Sequence, residues 1–397
     1  MQENVTPRIA YCTDTYDEAN GVATLSRAFA SFARRRQLPV LFIRPGETTR
    51  SLTEGTVTTV EVARSVLRLP LSAGLSFDLL IHRRAAWLRE QMMAFSPDIV
   101  HITGPGDIGM VCARLSHVLR VPKPPLVAAW HTNLHQYAKL RLGPLLRLLP
   151  DKAATAVGDL VEALAFRLTA RFYQSARLIL APNAEILGQL TAATGKSGRL
   201  MLHGVDSELF TPRLAPFDAQ REPITLGHVG RLVDEKNVRE LVEVADRLPA
   251  AMRERVRFLI VGDGPLGDWL AQRLPPNTCF TSILRGQELA AAFASMDVFF
   301  FPSLTDTFGL VMLEAMAAGV PVVSYGSSGP LSVVQPGVNG LVASTPAEFA
   351  EAVSRLVKEP ELRYRLGRAA RETAVAENWD AVFCGLYESY RTLVPLR

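Results

Sequence analysis

Residues 301–323 read FPSLTDTFGLVMLEAMAAGVPVV. An apolar run reaches Pro302, a short polar loop carries Asp306, an apolar helix pattern opens near Phe308 and runs to Ala318, and a strand-like run follows at Val320–Ser324. Strand, loop, helix and strand in this order make the repeating unit of a parallel sheet. Ligands of such sheets bind outside the carboxyl ends of the strands, which is where Asp306 falls. The N–H groups of Phe308, Gly309 and Leu310 begin the helix without intrahelical partners. They form a ready anion site, and Gly309 lets a phosphate come close. Glu314 lies two turns into the helix. A second reading of both acids stays open: Asp306 capping the helix and Glu314 facing solvent. Against it, a carboxylate in so apolar a helix needs a polar partner.

The same alternation extends in both directions. Strand-like runs occur at Ile9–Cys12, Val40–Ile43, Ile99–Ile102, Leu126–Trp130, Leu178–Ala181 and Leu200–Leu202. A second series follows at Ile224–Val229, Val256–Val261, Thr278–Thr281, Val298–Phe301 and Val320–Ser324. Amphipathic stretches separate most of them, so the expected class is α/β with parallel sheets covered by helices. The pattern breaks over 203–223, HGVDSELFTPRLAPFDAQREP, which holds three prolines and reads as a linker. The expected division is 1–215, 216–377 and a final helix, 378–397, packing back on the first domain. Two Rossmann-like, doubly wound domains would then face each other across a cleft.

Three further segments place polar residues just after strands. GHVGRLVDEKN, 227–237, brings Arg231 and Lys236 behind the first strand of the second domain; two cations there can neutralise a diphosphate, or stand as ordinary surface charge. YCTDTYDEANGVATLSRAFA, 11–30, puts Gly21 in the turn between a strand and a helix. VAAWHTNLHQY, 127–137, sets His131 at a strand end. His131 and His135 are four apart, but no His-Glu-x-x-His and no third ligand accompany them, so no metal site is expected. Gly195-Lys196-Ser197 imitates the end of a phosphate loop, but Leu190 stands where its first glycine belongs.

Composition narrows the class. Of the 397 residues, 48% are hydrophobic and 21% charged, as in ordinary globular chains. The four cysteines are scattered, with no Cys-x-x-Cys, which fits a reducing compartment. No secretory pattern opens the chain and no apolar run reaches the ~20 residues of a membrane span, so a cytoplasmic location is expected. Residues 1–215 carry 25 Lys and Arg against 17 Asp and Glu, while 216–397 carry 18 against 22. A basic first half allows a nucleic acid or an anionic membrane surface as partner. KLRLGPLLRLLP, 139–150, interleaves Lys139, Arg141 and Arg147 with leucines, as an interfacial segment does; a buried helical hairpin reads the same way.

Taken together, these segments resemble glycosyltransferase family 4, the retaining enzymes of the GT-B fold. The similarity runs over essentially the whole chain. Its most specific parts are the acid–seven residues–acid motif ending in Ala-Met-Ala-x-Gly-x-Pro-Val-Val and the run Gly230–Asn237. His203-Gly-Val-Asp and Val261-Gly-Asp-Gly-Pro also match. Asn20-Gly-Val, His131-Thr-Asn, Leu284-Arg-Gly-Gln-Glu-Leu and the Thr-Asp-Thr-Phe-Gly wording are similar to a branch of GDP-mannose-dependent α-mannosyltransferases and related glycolipid enzymes. One departure is Asp306, where the family usually has Glu; another is Ser282, where the branch often has Gly. The resemblance implies that Asp306 touches hydroxyls of the donor sugar and that Glu314 holds the ribose. Arg231, Lys236, Gly21 and the N–H groups of Phe308–Leu310 would hold the diphosphate, and His131 would lie beside the sugar. It implies a hexosyl transfer, with mannose from GDP-mannose first and glucose from UDP-glucose as the alternative, to a lipid or glycolipid acceptor. No cofactor or metal is expected, since Arg231 and Lys236 take the part of Mg²⁺; no nucleic-acid partner is expected either. A phosphorylase-like enzyme, a nucleotide-sugar epimerase and a non-catalytic scaffold stand as rivals.

Overall fold

The runs Ile9–Cys12, Ile99–Ile102, Leu126–Ala129 and Leu178–Ala181 are buried at every position, which is the mark of strands covered on both faces. A computed structural model describes residues 6–72, 75–119, 123–133, 135, 136, 139, 142, 146, 150–213, 218, 220 and 222–394. The chain divides into two units. One holds the residues up to Leu202 together with those from Trp379; the other spans His203–Asn378.

The first unit contains β1 (Ile9–Cys12), β2 (Val40–Gly46), β3 (Arg50–Glu54), β4 (Val57–Ala63), β7 (Ile99–Ile102), β8 (Leu126–Ala129), β9 (Leu178–Ala181) and β10 (Gly198–Leu200). They form one sheet in the order β10-β9-β8-β7-β1-β2-β4-β3, with β5 (Arg68–Ser72) and β6 (Leu75–Asp78) as a separate hairpin. All pairs of the large sheet are parallel except β3 with β4. Its helices include α1 (Gly21–Arg35), α2 (Ala85–Phe95), α3 (Asp107–Ser116), α4 (Asp151–Tyr173) and α5 (Ala184–Thr194). Asn20 caps α1 by accepting the Ala23 N–H at 2.9 Å. Leu25, Phe29, Phe32 and Ala33 recur at helical spacing and bury against β1 and β2.

The second unit forms a six-stranded, fully parallel sheet. Its strands are β11 (Ile224–Val229), β12 (Val256–Val261), β13 (Cys279–Thr281), β14 (Val298–Phe301), β15 (Val322–Tyr325) and β16 (Gly340–Ala343), in the order β13-β12-β11-β14-β15-β16. Helices α6 (Glu240–Arg247), α7 (Gly286–Ser295), α8 (Leu310–Ala317), α9 (Pro346–Lys358) and α10 (Pro360–Ala376) belong to it. This is the dinucleotide-fold order 3-2-1-4-5-6, whose direction reverses between its first and fourth strands. The reversal here lies between β11 and β14.

The boundary expected near residue 215 falls instead before His203. The intervening residues pack with the second unit: Val205 donates its N–H to Glu377 O at 2.9 Å, Arg371 donates to Ser207 O at 3.0 Å and to Phe210 O at 2.7 Å, and Phe210 stacks edge-on to Phe293. The final helix, α11 (Trp379–Leu393), belongs to the first unit. It inserts Phe383, Leu386, Tyr387 and Tyr390 beside Phe29 and Phe32. No helix among the described residues is long and apolar enough to cross a membrane.

Candidate functional site

Topology brings two loops of the second unit together. Arg231 and Lys236 follow β11, Asp306 follows β14, and these strands are neighbours at the reversal. Lys236 Nζ donates to Asp306 Oδ1 at 2.5 Å, with both side chains largely buried. Two more bonds stitch the loops: Asn237 Nδ2 donates to Pro302 O at 3.2 Å and Thr305 Oγ1 to Glu235 O at 3.0 Å. Burial alone would push the Asp306 carboxyl up, but the Lys236 ammonium and the Arg231 charge outweigh it and hold the group below the usual Asp range. Asp306 Oδ2 is buried, and a Ser303 hydroxyl also helps hold the carboxyl down.

Helix α8 opens directly beyond this pair. Gly309 caps it at φ 86°, a conformation that favours glycine, and a Cβ there would stand 2.6 Å from Phe301 Cζ. Phe308 is buried with its ring 4.6 Å from that of His203. Leu310 begins the helix, and Glu314, one turn further on, is buried rather than solvated. Arg231, Lys236, Asp306, Phe308, Gly309, Leu310 and Glu314 thus all stand at the carboxyl edge of one sheet.

Beneath Arg231 lies a feature whose role the sequence left unread. Gly262, Gly264 and Gly267 follow β12 with the Gly-x-Gly-x-x-Gly spacing of a dinucleotide loop. Here the first two make room for backbone. A Cβ on Gly262 would meet Gly230 O at 2.0 Å, and one on Gly264 would meet Leu232 O at 2.4 Å. Leu232 N–H donates to Asp263 O at 2.9 Å. The glycines therefore seat the turn that carries Arg231.

His131 and Gly21 belong to the first unit. Gly21 does not occupy a left-handed turn; it is the exposed first residue of α1, and Asn20 makes the turn as its cap. His131 follows β8, beside Trp130, which is 1% exposed and donates Nε1–H to Asn133 at 3.0 Å. Burial holds the His131 ring well below its ordinary value, at about 4, so it is neutral at pH 7. His135 lies against Trp130 and Phe166. Among the described residues no three His, Cys, Asp or Glu side chains come together as a metal cluster.

The first sheet also reverses, between β7 and β1, and there it gathers groups not singled out in the sequence. Asp14 accepts the N–H groups of Ile108 at 2.8 Å and Gly109 at 3.1 Å, capping α3 from outside. Burial, then the neighbouring Asp107 charge, raises its carboxyl to about 8. An Asp after a strand is too common a signal to have marked it.

Three buried histidines make stability pH-dependent. Burial lowers His101 to about 3 and His131 and His228 to about 4, against an ordinary 6.5. Below pH 6.5 the unfolded chain binds protons that the folded one refuses, so the histidines' contribution is full above that pH and lost as pH falls toward 4, while Asp14, raised to about 8, works in the opposite direction over the same range and offsets one of the three rings. The slope approaches about 1.4 kcal/mol per pH unit for each ring. Urea midpoints should fall as pH drops from 6.5 to 4.5, and His228→Gln should flatten that fall by one proton's worth. An unchanged curve in that variant would show that His228 is not held neutral.

Residues 19–209 match the family described as Glycosyltransferase Family 4, and residues 215–373 match Glycosyl transferases group 1. The chain is 26% identical to a GDP-mannose-dependent alpha-mannosyltransferase of Corynebacterium glutamicum, over 98% of this chain and 90% of that protein. It is 30% identical to a D-inositol 3-phosphate glycosyltransferase of Frankia alni, over 90% and 91%. It is also 30% identical to sulfoquinovosyl transferase SQD2 of Arabidopsis thaliana, where the match covers 79% of this chain but only 58% of the relative. Sucrose-phosphate synthase from Thermosynechococcus elongatus superposes with a TM-score of 0.71 at 20% identity, over 98% and 99% of the two chains. Anabaena HepE in complex with UDP and glucose does so with 0.68 at 17%, over 97% and 100%.

Two doubly wound parallel sheets with α11 closing the first, shared with these solved structures, define the GT-B fold, and the family matches and curated relatives make the chain a glycosyltransferase. The chain belongs to glycosyltransferase family 4.

Proposed function

We propose that the protein is a retaining, metal-independent hexosyltransferase that moves mannose from GDP-mannose to a lipid or glycolipid acceptor at an anionic membrane surface. The observation that carries the transfer chemistry is the Lys236–Asp306 pair at the β11/β14 reversal, with α8 opening beside it. Arg231 and Lys236 meet the diphosphate, the N–H groups of Phe308–Leu310 meet its oxygens, and buried Glu314 accepts from the ribose. Asp306 keeps Lys236 in place with Oδ1 and leaves buried Oδ2 for a sugar hydroxyl. The family resemblance adds His131, neutral at pH 7, as a group for the sugar and Gly21 as one for the diphosphate.

The transition state is oxocarbenium-like, with negative charge growing on the leaving phosphate. Fixed cations and a helix N-terminus stabilise that charge as it grows, so no metal ion is needed. The sugar–phosphate bond breaks while the acceptor oxygen bonds to the same face, and the acceptor proton passes to the donor phosphate. Trapping a covalent glycosyl-enzyme would overturn this route. Support for the donor comes from the wording shared with the mannosyltransferase branch. UDP-glucose remains the second reading, favoured by the structural relative that holds UDP and glucose. The lipid acceptor rests on the basic first half, although the sequence's membrane segment 139–150 lies mostly outside the described residues. Of its described residues, Lys139 bonds Asp159 and Glu162 of α4.

Melting temperature measured with GDP, UDP and their sugars, with and without EDTA, tests the reading. At a hundredfold excess over Kd, GDP should stabilise by about 2.7 kcal/mol, or roughly 5–10 °C, and EDTA should change nothing. A shift with UDP alone would move the donor to UDP-glucose; a shift abolished by EDTA would restore a metal; no shift with any would favour the scaffold.

A further inference from the structure

Strand β11 is buried at all six positions. Its alternate side chains Ile224 and Leu226 join Phe300 in the core of the second unit. His228 comes next on that face and is 3% exposed. An imidazole among such neighbours has two nitrogens to satisfy.

Only one of them is satisfied. Nδ1 lies 3.2 Å from Phe300 O. A carbonyl oxygen only accepts, so Nδ1 carries the hydrogen. Burial, with the Lys236 charge acting the same way, keeps the ring neutral at pH 7, which leaves Nε2 as a bare acceptor. That atom is buried and has no hydrogen-bond partner among the described residues. An unpaired buried acceptor is destabilising, and a phenylalanine at this position would not carry one.

The nitrogen lies under the turn that bears the cations. A Cβ on Gly230 would stand 3.3 Å from Nε2, so the glycine before Arg231 keeps the space above the ring open. Lys236 and Asp306 are the charged groups that act on the ring. The Lys236 ammonium has three N–H donors, and its side chain is only 20% exposed. One donor goes to Asp306 Oδ1. The diphosphate takes a second, which leaves the third in need of an acceptor on the sheet side.

We infer that His228 is a positioning residue for the donor site: Nε2 accepts the third Lys236 hydrogen when a nucleoside diphosphate is bound and, with Asp306, fixes the direction of the ammonium. Neutrality suits this task. A second carboxylate would compete with the diphosphate for the cation, whereas an imidazole lone pair orients the cation without cancelling its charge. The inference rests on the diphosphate reading of Lys236 and adds to it a residue that never touches the donor.

The test is calorimetric binding of GDP and UDP to the full chain, with melting temperatures alongside. His228→Asn keeps a donor at the place of Nδ1 and loses the acceptor, while His228→Gln carries an acceptor to the place of Nε2 and loses the anchor on Phe300. His228→Phe fills the ring's volume with neither nitrogen. On whichever nucleotide the parent binds, His228→Asn and His228→Phe should weaken binding about tenfold, the loss of one hydrogen bond to a charged group. His228→Gln should bind close to the parent, and His228→Phe should melt close to it. Added to Lys236→Met, His228→Asn should weaken binding no further. Binding of His228→Asn or His228→Phe at the parent's level, equal losses in His228→Asn and His228→Gln, a full further loss in the Lys236→Met background, or losses that track melting temperature would each overturn the inference alone. If the parent bound neither nucleotide, or Lys236→Met bound like the parent, the donor-site reading itself would fall and take the inference with it.

Discussion

Lys236→Met should lower kcat/KM by about 10²–10³-fold, the effect of removing one well-placed donor to a developing anion. The change should reach beyond activity. Asp306 sits within 2.5 Å of the ammonium and is largely buried, so losing Lys236 leaves a carboxylate without its main counterion, which is destabilising. Asp306→Asn in the same chain removes that stranded charge. The double variant should therefore recover most of the lost melting temperature and none of the lost rate. Steady-state kinetics and thermal melts on the three proteins decide it. If the double variant regained activity, Lys236 would act only through fold stability and would have no part in the transition state.

A chain ending at Asn378 should lose the first unit while keeping the second. Removing α11 takes away Phe383 and Tyr390, both fully buried, and Leu386 and Tyr387, nearly so. It also leaves His101 Nδ1, now 2.6 Å from Tyr390 Oη, without that partner. Deleting one buried aromatic side chain costs about 3–5 kcal/mol, and a whole domain holds only about 5–15 kcal/mol, so several such losses exceed what the unit can bear. The second unit keeps its own closure, because Val205 bonds Glu377 upstream of the cut. Limited proteolysis should leave a protected fragment covering 203–378. Full protection of the first unit in the truncated chain would show that α11 is a covering and not part of the core.

Much of this was legible in the residues themselves. Val298–Phe301 could hardly be anything but a doubly covered strand, and every one of its positions is buried. Polar residues placed just after such runs had to lie at the carboxyl edge, because a parallel strand always delivers its loop there. That reasoning located Arg231, Lys236, Asp306, the opening of α8 and buried Glu314. It passed over β3, whose five positions are all exposed, and β4, whose buried and half-buried positions follow no strict alternation. The Gly-x-Gly-x-x-Gly spacing after β12 went unread in the sequence, and what its first two glycines do, making room for Gly230 O and Leu232 O, depends on a neighbouring strand.

Local periodicity by itself determined the class of each segment and the edge on which each loop emerges, since both follow from which side chains can be buried along a short stretch. Tertiary structure alone decided which loops meet. Lys236 and Asp306 are 70 residues apart in the chain and touch only because β14 pairs beside β11 rather than beside β13. Strand order, the return of α11 to the first unit and the seating of 203–213 on the second are all choices among distant partners. Burial of apolar faces drives those choices, and that burial exists only once the whole sheet has closed.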